Sequence, residues 1–104
     1  MIYEERDYAI KPGKLNTFVG LYRDYGVEIQ KKYLGTFIGY FTTEIGELNH
    51  VVALWSYESL DQRAAMRAAM LADPEWSDYL ARVDGLLQTQ NTRVLTPTSF
   101  SPLQ

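Results

Sequence analysis

The chain has 104 residues, a net charge of −3, 46% hydrophobic and 22% charged residues, which is the size and balance of one folded domain, residues 1–104. The acidic balance without a basic stripe speaks against nucleic acid as a partner, and the absence of cysteine excludes disulfides, thiolate metal sites and a cysteine nucleophile. The apolar runs are too short to span a bilayer, so no membrane partner is expected. The opening MIYEERDY is too acidic for a signal or transit peptide, so a cytoplasmic protein is the expectation.

Ile2 to Ile10 reads as the first strand, with Ile2, Glu4, Arg6, Tyr8 and Ile10 on one face and Tyr3, Glu5, Asp7 and Ala9 on the other. Its charge density fits two placements. One is an outer strand whose charges reach water. The other is a strand whose Glu4, Arg6 and Tyr8 line a polar cavity, where arginine and tyrosine suit an anionic or hydrogen-bonding ligand.

Lys11-Pro12-Gly13-Lys14 is a turn into the first helix, with proline near the helix start, where its missing N–H costs nothing. Leu15, Phe18, Val19, Tyr22, Tyr25 and Ile29 recur at three and four residues, the period of a helix with one buried stripe. Gly26 predicts a kink or early end, Lys31 and Lys32 suit the C-terminal end, and Gly35 suits the stop.

Thr36 to Thr43 and His50 to Tyr57 are aromatic and β-branched runs around the Glu44–Asn49 connector, which predicts a hairpin. Gly46 and Asn49 supply the turn backbone. In the second run both parities are apolar in the middle, Val52 and Leu54 on one face and Val51, Ala53 and Trp55 on the other. Both faces therefore want cover.

Ser59 followed three residues later by Gln62 is a capping-box pattern, and the residues to Leu71 are mostly strong helix formers. Met66 and Met70 read as core filler rather than a cofactor box. Arg63 and Arg67 form a like-charged pair at helical spacing, so carboxylates are expected nearby. They read as a solvated face, with an anion site as the alternative. Asp73-Pro74-Glu75-Trp76 restarts the helix, giving one broken segment from Ser59 to about Asp84 with the stripe Trp76, Leu80, Val83 and Leu87. Leu87 to Leu95 is a polar last strand suited to an edge or to the side of a polar cavity, and residues 96–104, with two prolines, form an extended tail in which Phe100 is a candidate anchor.

The order strand, helix, strand, strand, helix, strand is that of a ferredoxin-like α+β domain, βαββαβ, with an antiparallel four-stranded sheet. Its helices cover one sheet face. The doubly apolar third strand needs cover on the other, and a second copy of the chain is the simplest cover, which predicts a homodimer.

The ordered set Met1-Ile2-Tyr3-Glu4 with Arg6 and Tyr8, Lys11-Pro12-Gly13-Lys14, Gly39-Tyr40, Thr42 to Asn49, Leu54-Trp55-Ser56-Tyr57, Arg63 and Asp73-Pro74-Glu75-Trp76 resembles the NIPSNAP family, a branch of the dimeric α+β barrel superfamily. The resemblance covers essentially the whole chain. It implies a dimeric barrel with a pocket inside it or between sheet and helices, and it implies little chemistry, since the family is mostly of unassigned activity. The mitochondrial and vesicle-related roles of members with targeting segments are not carried over. Related barrels include cofactor-independent monooxygenases, haem-binding peroxidases and small-molecule degradation enzymes, and fold alone does not choose among them.

His50, the only histidine, reads as a surface or hydrogen-bonded structural residue rather than an acid–base or haem residue. With no HxxxH and no cysteine, no metal and no cofactor are expected, and no catalytic residue is assigned. The candidate ligand site is a pocket lined by Arg6, Tyr8, Tyr40, Trp55 and Arg93, aromatic surface with a few polar groups. It suits a small organic molecule and an oxygenase-like or isomerase-like enzyme free of cofactor. The alternative is a non-catalytic structural or protein-interaction dimer, with a filled barrel and functional surface at Arg63, Arg67 and the tail.

Overall fold

Residues 1–104 are described by a computed structural model. Strand β1 (Ile2–Ile10) leads through the Lys11–Lys14 turn to α1 (Leu15–Leu21), a five-residue π-helical turn (Tyr22–Gly26) and α2 (Val27–Tyr33). The hairpin β2 (Thr36–Thr42) and β3 (His50–Tyr57) comes next, then α3 (Leu60–Leu71), α4 (Pro74–Val83) and β4 (Leu87–Leu95). The strands form one antiparallel sheet in the order β2-β3-β1-β4, the ferredoxin-like α+β arrangement.

The punctuation of the chain comes from its turn and cap residues. Gly46 at φ +124° and Asn49 at φ +65° turn the hairpin connector, conformations that glycine and asparagine tolerate best. Ser59 Oγ accepts from Gln62 N at 3.1 Å, which makes the N-cap bond, and Gln62 Oε1 reaches back to accept from Glu58 N at 2.8 Å, one residue before the cap. Asp73 Oδ1 accepts from Glu75 N at 2.8 Å, with Pro74 opening α4. The break at Asp73-Pro74 is complete enough to make two helices.

The first helical segment differs from its expected phase. The π-helical turn takes up one residue more than an α turn and rotates the helical residues after it. Tyr25 thereby leaves the buried stripe and is 44% exposed, with the Arg82 guanidinium 3.8 Å from its ring centroid. Gly26 ends the turn against α4, since a Cβ there would lie 2.8 Å from the Tyr79 ring.

The sheet has two unlike faces. Glu4, Arg6, Tyr8 and Ile10 of β1 stand beside Trp55, Ala53 and Val51 of β3 on the helix-covered face, and the core lies between them and Phe18, Tyr22, Met70 and Trp76. Tyr3, Glu5 and Asp7 share the other face with Leu54, Val52 and His50 of β3, and with Arg93 and Leu95 of β4. That face carries no helix. Phe41, paired with Val52, is 53% exposed on it. The tail folds back to the same face, where Tyr3 Oη donates to the Gln104 carbonyl at 3.1 Å. Phe100 is 87% exposed and does not anchor the tail on its own chain.

Candidate functional site

Between the covered face of the sheet and the helices lies a cavity of about 280 Å³. Its floor is Arg6 and Tyr8 of β1, Ala53 of β3 and Tyr40 of β2. Its walls include Tyr22 of the π-helical turn, Arg67 and Leu71 of α3, and Trp76 and Tyr79 of α4. Alternation along β1 aims Arg6 and Tyr8 to the same side, and the small side chain of Ala53 between them and Tyr40 leaves the space open.

One wall is a set of aromatic rings. Tyr22 and Tyr40 stack with centroids 4.4 Å apart, Tyr79 meets Tyr22 edge-on at 6.1 Å, and Trp76 lies 5.1 Å from Tyr79. These are favourable aromatic geometries. The Tyr22 hydroxyl donates to Gln30 Oε1. Burial is the main reason that the Tyr22, Tyr40 and Tyr79 phenols titrate well above the ordinary tyrosine range. They remain neutral hydrogen-bonding groups at physiological pH.

The other end of the cavity is cationic. Arg6 Nε donates to Tyr8 Oη at 2.6 Å. Beside it Glu4, fully buried, accepts from Arg63 Nε at 2.6 Å through Oε2, and its Oε1 lies 3.6 Å from Arg6 Nη1. Such close charge-assisted contacts are what make a buried carboxylate tolerable. Arg67, half-buried on the cavity wall, has no carboxylate partner. Its pKa is lowered first by burial and then by the Arg6 charge, with the Glu4 carboxylate opposing. Tyr57 is buried beside Glu4 with no hydrogen-bond partner for its hydroxyl, and burial pushes that phenol up to about 12.

Of the five residues expected to form the site, the structure brings Arg6, Tyr8 and Tyr40 together on the lining. Trp55 lies on the same sheet face but is sealed, with 0% exposure and Phe37 packed 4.8 Å away; it supports the floor and does not line it. Arg93 does not belong to this group. It pairs with Glu5 in the strand register, and its Nη2 donates to Glu5 Oε1 at 2.7 Å on the open face. The solvated reading of Arg63 and Arg67 is also corrected, since both turn inward, Arg63 to Glu4 and Arg67 to the cavity. Tyr22, Arg67, Trp76 and Tyr79 complete the site. Tyr22 and Trp76 stand in the apolar stripes of their helices, Arg67 stands one turn from Arg63 on an alanine-rich helix, and Tyr79 carries no sequence signal of its own.

The lining contains arginines, glutamines, phenols and apolar groups, with no carboxylate, imidazole or thiol. It can hold a molecule by stacking and hydrogen bonding. His50 sits on the opposite face, where its Nδ1 is 2.7 Å from Asp7 Oδ1 and its Nε2 is 3.3 Å from Glu47 Oε2. It is a structural tie between β1 and the hairpin connector, out of reach of the cavity. No three histidine, aspartate or glutamate side chains gather as a metal site, and no helix is long and apolar enough to cross a membrane.

Comparison with known proteins places the chain. The NIPSNAP family model matches residues 3–102. Protein NipSnap of Drosophila melanogaster is 35% identical over 103 residues, covering 99% of this chain and 37% of its own length. NipSnap homolog 3B of Mus musculus is 36% identical, covering 99% of this chain and 42% of its own length. The chain thus spans less than half of these curated relatives. A NIPSNAP family crystal structure of unknown function from Agrobacterium tumefaciens superposes with a TM-score of 0.95 at 40% identity, covering 100% of this chain and 94% of that one. An antibiotic biosynthesis monooxygenase from Nitrosomonas europaea, described as putative, shares the fold at a TM-score of 0.70 and 10% identity, covering 93% and 98% of the two chains; that likeness concerns fold alone. The chain belongs to the NIPSNAP family.

Proposed function

We propose that the protein is a homodimer that takes a small organic molecule into the cavity between its sheet and its helices. The observation that carries this reading is the lining itself: a void of about 280 Å³ with stacked tyrosines on one wall and the Arg6–Tyr8 pair on the floor. Pockets of this kind, mostly apolar with a few convergent polar groups, are typical of ligand sites. The exposed Phe41 and Leu95, with Val52 and Leu54 on the same face, support a second copy packed on the open side of the sheet. The lining favours binding over acid–base turnover. Oxygenase-like chemistry there would draw on the bound molecule's own reactivity, since the cavity supplies no general base. The alternative, a structural or protein-interaction dimer acting through Arg63, Arg67 and the tail, keeps only the tail on the outer surface, where Phe100 is exposed, because both arginines are turned in.

A titration with 1-anilinonaphthalene-8-sulfonate tests the reading. Its emission should rise on binding, and excitation of the nearby Trp76 should feed it. Ala53→Phe fills the cavity from its floor and should abolish the signal while far-ultraviolet circular dichroism is preserved. An unchanged titration in a folded Ala53→Phe protein would place the binding elsewhere and overturn the proposal.

A further inference from the structure

The polar end of the cavity has more positive than negative charge. Arg6, Arg63 and Arg67 gather around one carboxylate, Glu4. Arg63 holds one oxygen of Glu4, with both Nε and Nη2 on Oε2, while Oε1 has no hydrogen-bond partner. Arg6 shares Glu4 at 3.6 Å, and its Nε is spent on Tyr8. Arg67 has neither an ion pair nor a side-chain hydrogen bond, yet it is half-buried on the cavity wall. Two guanidiniums therefore face the same void with a single carboxylate, already held by a third arginine, behind them. Helix α3 offers Arg67 no relief, because its own neighbours one turn away are Arg63 and Leu71. An unpaired guanidinium held in a half-buried place is costly unless an anion completes it.

From this we infer that the ligand carries an oxyanion head group, a carboxylate or a phosphate ester, bound between Arg67 and Arg6, with an aromatic or apolar body lying against Tyr22, Tyr40 and Trp76. The inference rests on the reading of the cavity as a ligand site and adds the chemical class of the molecule that enters it. Guanidinium is the cation best shaped for this task, since its planar fork meets two oxygens at once. The Tyr8 hydroxyl, already accepting from Arg6, keeps its own proton to donate to the same head group. Arg63 turns its Nε and Nη2 to Glu4 and does not line the cavity.

Isothermal titration calorimetry with 2-naphthoate, 2-naphthyl phosphate and 2-naphthylmethanol separates the possibilities. The three share an aromatic body and differ in head group. At least one anion should bind tenfold or more tightly than the alcohol, and Arg67→Gln should remove that preference while leaving the alcohol's affinity unchanged. Arg23→Gln, an exposed arginine on the π-helical turn, serves as the charge control and should change nothing. The stronger of the two anions identifies the head group. If the alcohol binds as tightly as both anions, the oxyanion inference fails and the cavity reading stands. If the anion preference survives Arg67→Gln, the assigned arginine is wrong. If none of the three binds, both fail together.

Discussion

Arg63, on α3, reaches the sheet and places its Nε 2.6 Å from Oε2 of Glu4, a residue with no solvent exposure. This contact, between positions 59 residues apart in the chain, pins α3 over β1. It also releases Arg6 and Arg67 to face the cavity.

Removing the carboxylate should therefore unsettle both the fold and the site. Glu4→Gln leaves three arginines without their common counter-charge. Breaking a buried ion pair from one side typically costs about 3–5 kcal/mol. Urea denaturation should show a loss of that order, and Arg63→Gln should also destabilise, by leaving Glu4 buried without its main partner. A Glu4→Gln loss under ~1 kcal/mol would mean that Glu4 is not the anchor of α3.

Gly26→Ala should destabilise for a steric reason. The added Cβ would fall 2.8 Å from the Tyr79 ring and 2.9 Å from Tyr22 Cδ1, and both rings are buried in the cavity wall. Overpacking of this kind costs about 1–3 kcal/mol. Because the strain is relieved by moving Tyr79 or Tyr22, weaker binding of any cavity ligand should accompany the lower melting temperature. Gly20→Ala, whose Cβ meets only Arg23 Nη2 at 3.7 Å, should show neither effect.

The protein should be labile in alkali. Tyr22, Tyr40, Tyr57 and Tyr79 are raised above the ordinary value of 10.0, chiefly by burial. Between pH 10 and their native values the unfolded chain has lost these protons and the folded chain still holds them. The unfolded state then binds fewer protons, so stability falls as pH rises. The contribution is fully present below about pH 10; the share of Tyr57 is lost as pH rises through about 12, and the loss from Tyr22, Tyr40 and Tyr79 continues at higher pH. Melting curves from about pH 8 to 12, with phenolate absorbance recorded alongside, check this. A flat melting temperature from about pH 10 to 12 would contradict the burial of these phenols.

Much of the fold was legible from local chemistry. The capping box at Ser59–Gln62, the Asp73-Pro74 restart and the Gly46–Asn49 connector each state a boundary in a few adjacent residues, and the polar β4 declares itself an edge. The site was legible only in part, because alternation tells which residues of a strand share a face and not which face of the sheet that is. Arg6, Tyr8 and Tyr40 were placed together by residue type. Arg93 was grouped with them on the same grounds, and the β1–β4 register set it against Glu5 on the other side. Trp55 stands on the covered face, yet Phe37 packs against it and it does not reach the cavity. The inward turn of Arg63 depends on a partner 59 positions away, which no helical period reveals. The phase slip at Tyr22–Gly26 hid Tyr79 and Tyr22 as partners, since the glycine signalled a disturbance without its direction.

The most direct measurement is native mass spectrometry of the protein titrated with 2-naphthoate or, if calorimetry selects it, 2-naphthyl phosphate. A dimer that takes up one ligand per chain, and loses that uptake in Arg67→Gln while staying dimeric, is the predicted result. A monomer would contradict the second copy on the open face of the sheet, and a dimer that takes up no anion would contradict the oxyanion site between Arg6 and Arg67.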